Sequence, residues 1–249
     1  MPRCFPPLAL LALLLLSPAC QPTANPASAE PTTNEGQSLL DGQLLLQAID
    51  SATFAAGPRD SLQHLLIQQF CEESKGYRAN VWLGLNQCSW AIEKYRLDHG
   101  PQFVQRHGNE LNVVLPDGAK RSFIHDLASE RATYYQFRHY LPRDSLVCIE
   151  KIRESACPQL LLVQQRTGTE RILDGTSFWS PRADAFLLQG IAPGCGERLE
   201  HWSVTGGSVE RDWSIDFPAN LLREVKWLDR GEWLLAEAGQ FRRLKWLER

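Results

Sequence analysis

The spacing of apolar positions changes three times along the chain. Leu8 to Leu16 is nine residues of only leucine and alanine. Residues 21–38 then carry no large apolar side chain at all. Leu39, Leu40, Leu44, Leu45, Leu46, Ile49 and Phe54 recur at a spacing that suits one face of a helix. That spacing predicts a short N-terminal helix over 39–54, weakened by Gly42 and ended by Gly57-Pro58. Ser61 to Phe70 fits a second short helix or a first strand. Beyond Cys71 short apolar or aromatic runs alternate with turns. The runs include Ala79–Leu85, Glu110–Leu115, Leu160–Val163, Ala185–Leu188 and Trp233–Ala236. Pro116-Asp117-Gly118, Asp174-Gly175, Gly206-Gly207 and Asp229–Gly231 separate them. Short strands punctuated at roughly 8–12-residue intervals predict an all-β, mainly antiparallel body.

A faint repeat runs through this body. Tyr140-Leu-Pro-Arg143, Trp179-Ser-Pro-Arg182 and Trp227-Leu-Asp-Arg230 each place an arginine three residues after an aromatic, just ahead of an apolar strand. The aromatics are 39 and 48 residues apart. Four strands per roughly 40–45 residues is the period of a propeller blade. Trp179-Ser-Pro-Arg-Ala-Asp-Ala-Phe-Leu-Leu resembles the Trp-Ser-Pro-Asp-Gly turn of TolB-type propeller blades, with Ala183 in the turn-glycine position. The resemblance covers about ten residues per unit and implies a small propeller-like array. A β-sandwich or barrel is the alternative.

The N-terminus predicts export. One arginine, Arg3, precedes the Leu/Ala run, and Ser17-Pro18-Ala19-Cys20 ends it, which is the order of parts in a secretory signal. Small residues ending in Cys20 ahead of a polar spacer resemble the lipobox of bacterial lipoproteins, although Ser17 stands where that motif usually has leucine. The resemblance implies a mature chain starting at lipidated Cys20, held at a membrane by acyl chains. Gln21, in place of aspartate, leans toward the outer membrane. Cleavage for soluble periplasmic or secreted export is the alternative. Residues 20–38 then form a flexible tether, and 39–249 one mainly-β domain. With no apolar bulk, such a tether has nothing to offset the entropy of ordering.

Cys71, Cys88, Cys148, Cys157 and Cys195 remain in the body. Proximity in sequence suggests Cys148–Cys157 and Cys71–Cys88 as disulfides in an oxidising compartment, with Cys195 left over. No Cys-x-x-Cys is present.

The 249 residues hold 26 basic and 29 acidic side chains, a formal charge of −3. This excludes a global basic field for nucleic acid. Nucleotide-binding glycine loops, a Gly-x-Ser-x-Gly elbow and a His-Glu-x-x-His zinc motif are all missing. No cofactor or metal is predicted. His125-Asp126 and His139 could approach a serine or cysteine in a fold, and Glu72-Glu73 and Glu197/Glu200 are candidate paired carboxylates, for which solvated surface acids are the commoner reading. Five of the eight tryptophans fall in the last fifty residues, and Trp202, Trp213 and Trp233 stand as candidate binding aromatics against a core role. The expectation is an envelope protein, anchored by its N-terminal lipid, whose body binds a protein or glycan rather than acting as an enzyme. The alternatives are a periplasmic hydrolase with a dispersed site and a periplasmic immunity or inhibitor lipoprotein.

Overall fold

Turn residues cut the chain into antiparallel hairpins, and the hairpins assemble into four sheets. A computed structural model describes residues 36–58, 81–126, 128, 132–153, 156–190, 197–217, 222, 224–229, 231–237 and 239–247, apart from the side chains of 81–88. All belong to one compact unit, Asn34–Arg249. The expected signal, Cys20 and most of the expected tether lie outside the described residues.

The first sheet is β3 (Val104–His107), β4 (Glu110–Val114) and β5 (Lys120–Ile124). The second is β6 (Thr133–Leu141), β7 (Leu146–Arg153), β8 (Gln159–Gln164) and β9 (Glu170–Asp174). The third is β10 (Thr176–Trp179), β11 (Ala185–Gly190), β12 (Arg198–Thr205) and β13 (Ser208–Asp216). The fourth begins with β14 (Glu224–Asp229), β15 (Glu232–Ala236) and β16 (Phe241–Trp246). It is completed from the other end of the chain by β2 (Leu44–Ile49) and β1 (Gln37–Leu39), in the order β1-β2-β16-β15-β14. All neighbouring strands are antiparallel and no sheet closes into a barrel.

Alternate side chains of each inner strand point to different neighbours, so the sheets stack in chain order. In β8, Leu161 and Val163 join the core shared with the first sheet, while Leu160 and Leu162 join the core shared with the third. In β11, Phe186 and Leu188 face the second sheet and Leu187 faces the fourth. A strand buried on both faces needs apolar residues at successive positions. That is why Leu160-Leu-Leu-Val163 and Phe186-Leu-Leu188 are unbroken runs. Each such side chain contributes about 1.5–3 kcal/mol on burial. The result is all-β and sandwich- or propeller-like, with a final sheet sealed by the N-terminal strands. Gly175 permits the crossing from β9 to β10. Its φ of +145° suits glycine, its N–H donates to the Pro158 carbonyl at 2.7 Å, and a Cβ would stand 2.8 Å from the Gln189 oxygen.

Two helices depart from the sequence expectations. Most of the segment expected to be helical is instead the β1–β2 hairpin; only α1 (Ser51–Ala56) is helical, capped by Asp50, whose carboxylate accepts from Thr53 N at 2.6 Å. Gly42 and its neighbours Leu40 and Asp41 take positive φ, which builds the hairpin turn and stops helix propagation. Pairing of Leu44–Ile49 with β16 outweighs a helical apolar spacing, and Gln37 and Ser38 are strand rather than tether. Conversely, residues 81–85, read as a strand, begin α2 (Val81–Asp98). No turn cluster occurs between Leu85 and His99, so a strand there would have nowhere to reverse; Gly100-Pro101 provides the stop. α2 lies along β6 and β3, the first strands of their sheets. Among the described residues, no helix is long and apolar enough to cross a membrane.

Candidate functional site

The three repeated aromatic–turn units occupy the same place in three successive sheets, the β6–β7, β10–β11 and β14–β15 turns; Arg230 of the third lies outside the described residues. All three contribute to the rim of one open cleft of about 1250 Å³. Arg143 comes from the first turn, Ser180, Arg182 and Asp184 from the second, and Trp227, Leu228, Asp229 and Gly231 from the third. His201, Ser203 and Thr205 of β12 form one wall, and Lys245 and Trp246 of β16 the other.

Two β-bulges shape these walls, each inserting one residue with no partner opposite it. In the β12–β13 pair, His201 sits opposite Trp213 and Trp202 opposite Arg211, so Asp212 is the extra residue. Its carboxylate takes His201 Nδ1 at 2.6 Å and the Ser203 hydroxyl at 3.0 Å. In the β14–β15 pair, Trp227 faces Trp233 and Asp229 faces Glu232, so Leu228 is extra and stands exposed in the cleft.

Beneath the cleft is an aromatic layer. The His201 ring lies 5.6 Å from Trp213, 6.0 Å from Trp227 and 5.3 Å from Trp233. Burial among these rings disfavours the charged imidazole and lowers its pKa, against the opposing pull of Asp212. The neutral ring donates Nδ1–H to Asp212, which leaves Nε2 as an acceptor. Among the described residues, neither His201 Nε2 nor the Trp227 indole N–H has a hydrogen-bond partner.

Charge on the rim is unevenly compensated. Glu232 is paired with Arg243. Asp184 accepts from the Ser180 hydroxyl at 2.9 Å, and Asp229 from Gly231 N at 2.8 Å. Arg143, Arg182 and Lys245 form no ion pair with the described residues. By contrast, Arg198 and Arg211 both hold Glu200, and Arg138 holds Glu150.

The residues singled out from sequence fall elsewhere. Trp202, Trp213 and Trp233 are 6%, 8% and 1% exposed, and pack between sheets as core. They point at a neighbouring sheet, not at solvent, so they cannot stack on a ligand; Trp227 and Trp246 line the cleft instead. The expected Cys148–Cys157 bridge is not formed. Cys148 is a free thiol in the core between the second and third sheets, opposite His139 and Leu162 in register. Cys157 is disulfide-bonded, so its partner is another cysteine. Cys71, Cys195, His64, Glu72, Glu73 and the Cys88 side chain lie outside the described residues.

Glu200 is a buried structural acid, taking Trp202 Nε1 at 3.0 Å as well as its two arginines. His139 packs against Trp179, and burial takes its pKa down to about 3. His125 lies in a separate polar cluster. Glu93 on α2 accepts from Arg106 at 2.7 Å and from Phe137 N at 2.6 Å, and Arg106 reaches His125 Nε2 at 2.6 Å. Burial and the Arg106 charge lower the His125 pKa to about 4. Neither histidine lines the cleft. Among the described residues, no group of His, Cys, Asp or Glu side chains could hold a metal.

Sequence reasoning missed His201 and Asp212, which only a bulge brings together. The one available signal for the cleft was the repeated arginine. Compared with known proteins, the chain matches no family model, no curated protein and no solved structure.

Proposed function

We propose that this chain is an exported, lipid-anchored envelope protein whose β body is a ligand-binding module rather than an enzyme, and that the ligand sits in the cleft ringed by the three repeated turns. The N-terminal run, Cys20 and the polar tether support export and anchoring. The observation that carries the binding reading is the cleft: about 1250 Å³, above the roughly 300–1000 Å³ of small-ligand sites, with mixed polar and aromatic walls and three rim cations that form no ion pair with the described residues.

The cleft also contains the parts closest to a hydrolytic triad, in the wrong order. A nucleophilic serine must hydrogen-bond the base nitrogen of histidine that faces away from the acid. Ser203 instead bonds the second oxygen of Asp212, and His201 Nε2 is buried without a partner. His201 and Ser203 therefore brace the bulge.

Two experiments test this reading. Mass spectrometry of the mature N-terminus, with Cys20→Ser as control, should show diacylglycerol on Cys20; an unmodified Ala19–Cys20 cleavage product would remove the anchor. A thermal-shift panel of envelope glycans and peptides against the full chain should find a ligand whose effect is lost in Arg143→Gln/Arg182→Gln. Turnover of an ester or glycoside abolished by Ser203→Ala would favour the hydrolase reading instead.

A further inference from the structure

Resting on that binding reading, we infer that the cleft takes an acidic saccharide: a hydroxyl-rich sugar carrying carboxylate or phosphate groups. Three independent features lead to this ligand class.

The first is the unsatisfied pair in the floor. His201 Nε2 is an acceptor without a donor, and Trp227 Nε1 a donor without an acceptor, on rings 6.0 Å apart. Both nitrogens are buried beneath the cleft surface, so a water, donor and acceptor at once, is the group that can complete them and relay to a sugar hydroxyl above.

The second is the rim. Among the described residues, Arg143, Arg182 and Lys245 line the cleft with no ion pair, while its carboxylates are engaged: Glu232 with Arg243, and Asp184 and Asp229 in local hydrogen bonds. Arginine in this setting suits the forked oxygens of a carboxylate or phosphate. Ser180, Ser203 and Thr205 add hydroxyls, and half-buried Trp246 offers an apolar ring to a sugar face.

The third separates sugar from peptide. Extended peptides commonly bind by adding a strand to a sheet edge. This cleft is walled by turns and by bulged strand ends; β12, β15 and β16 are paired on both sides, and the edge strand that lines it, β14, is bulged at Leu228. A bulge breaks the regular hydrogen-bond ladder of an edge and makes it a poor template for an added peptide strand.

The test is calorimetric titration of the full, detergent-solubilised chain. The probes are trigalacturonate, its uncharged methyl ester, glucose 6-phosphate and glucose. At least one acidic sugar should bind roughly tenfold or more tighter than its neutral counterpart, with the preference shrinking at high salt. The arm that discriminates identifies carboxylate or phosphate. Arg143→Gln/Arg182→Gln should erase the preference, Trp246→Ala should weaken acidic and neutral sugars alike, and Lys120→Gln on β5 should change nothing. Because Arg143 and Arg182 are exposed, an unchanged melting temperature will show that the double variant is folded. Equal binding of acidic and neutral sugars would overturn the acidic inference and leave the binding module standing. No sugar binding, alongside a cleft-dependent shift with a peptide in the thermal panel, would overturn the saccharide inference alone. Silence in both would overturn both.

Discussion

Lys226 Nζ, on β14, donates to the Phe54 carbonyl at 2.6 Å across 172 residues of sequence. Phe54 is in the last turn of α1, where the carbonyls lack i+4 partners and its own accepts from Gly57 N at 3.2 Å. The same ammonium lies 3.4 Å from the Ala55 and Gly57 carbonyls and 4.4 Å from the centre of the Phe54 ring. One lysine from the C-terminal sheet thus caps the N-terminal helix, which packs Phe54 against Leu234 and Ala236. Lys226→Met keeps the stem and removes the charge. It should cost about 1–3 kcal/mol, the range for stranding buried hydrogen-bonding groups. Urea unfolding checks this; an unchanged midpoint would mean that the helix is capped by solvent.

The α2 helix is tied to the sheets by an ion pair that is buried on both sides. Glu93 is 1% exposed and accepts from both Arg106 and the Phe137 backbone. Glu93→Ala leaves a guanidinium and a backbone N–H buried without that acceptor. Losses of about 3–5 kcal/mol follow from breaking such a pair. Glu93→Gln, which still accepts from Phe137, should lose less. Equal losses for the two variants would assign the whole effect to the charge.

Acid should weaken the fold through its buried histidines. His139 has a pKa of about 3 when folded and 6.5 when exposed, so below pH 6.5 the unfolded chain binds a proton that the native chain refuses. Its contribution is fully present above pH 6.5 and declines down to about pH 3, by about 1.4 kcal/mol per pH unit. His125 and His201 shift in the same direction. Unfolding free energies at several pH values between neutral and 4 should show the slope, and His139→Asn should flatten it. A slope unchanged by that variant would place the titration elsewhere.

Cys148 should be inert. Burial raises its thiol pKa far above the ordinary range, and it shares the core with Leu160 and Leu162. A thiol reagent should label it only after unfolding. Peptide mapping of the oxidised protein should find Cys157 bonded to a cysteine other than Cys148. A Cys148–Cys157 peptide would contradict the core placement of Cys148.

Much of the body was legible because strand alternation and turn chemistry are local. Leu160–Val163, Ala185–Leu188 and Trp233–Ala236 are strands as the pattern implied, and Gly206-Gly207 turns a hairpin as it should. The two segments misread, 39–54 and 81–85, are short apolar stretches whose periodicity fits helix and strand alike. Their partners decided them: β16 draws Leu44–Ile49 into a sheet, and β3 and β6 offer α2 a surface.

The sequence by itself determined the all-β class, the turn positions and the recurrence of an arginine after each aromatic, since these depend on neighbours a few residues apart. Only the tertiary structure decided that the three aromatic turns border one cleft and that Trp202, Trp213 and Trp233 are core rather than surface. It alone decided that Asp212 meets His201 and Ser203, and that Cys148 stands free. Each depends on which sheet stacks on which, and on single-residue bulges that redirect a side chain. Contacts between residues tens of positions apart are fixed by packing free energy over the whole body, which no local spacing records.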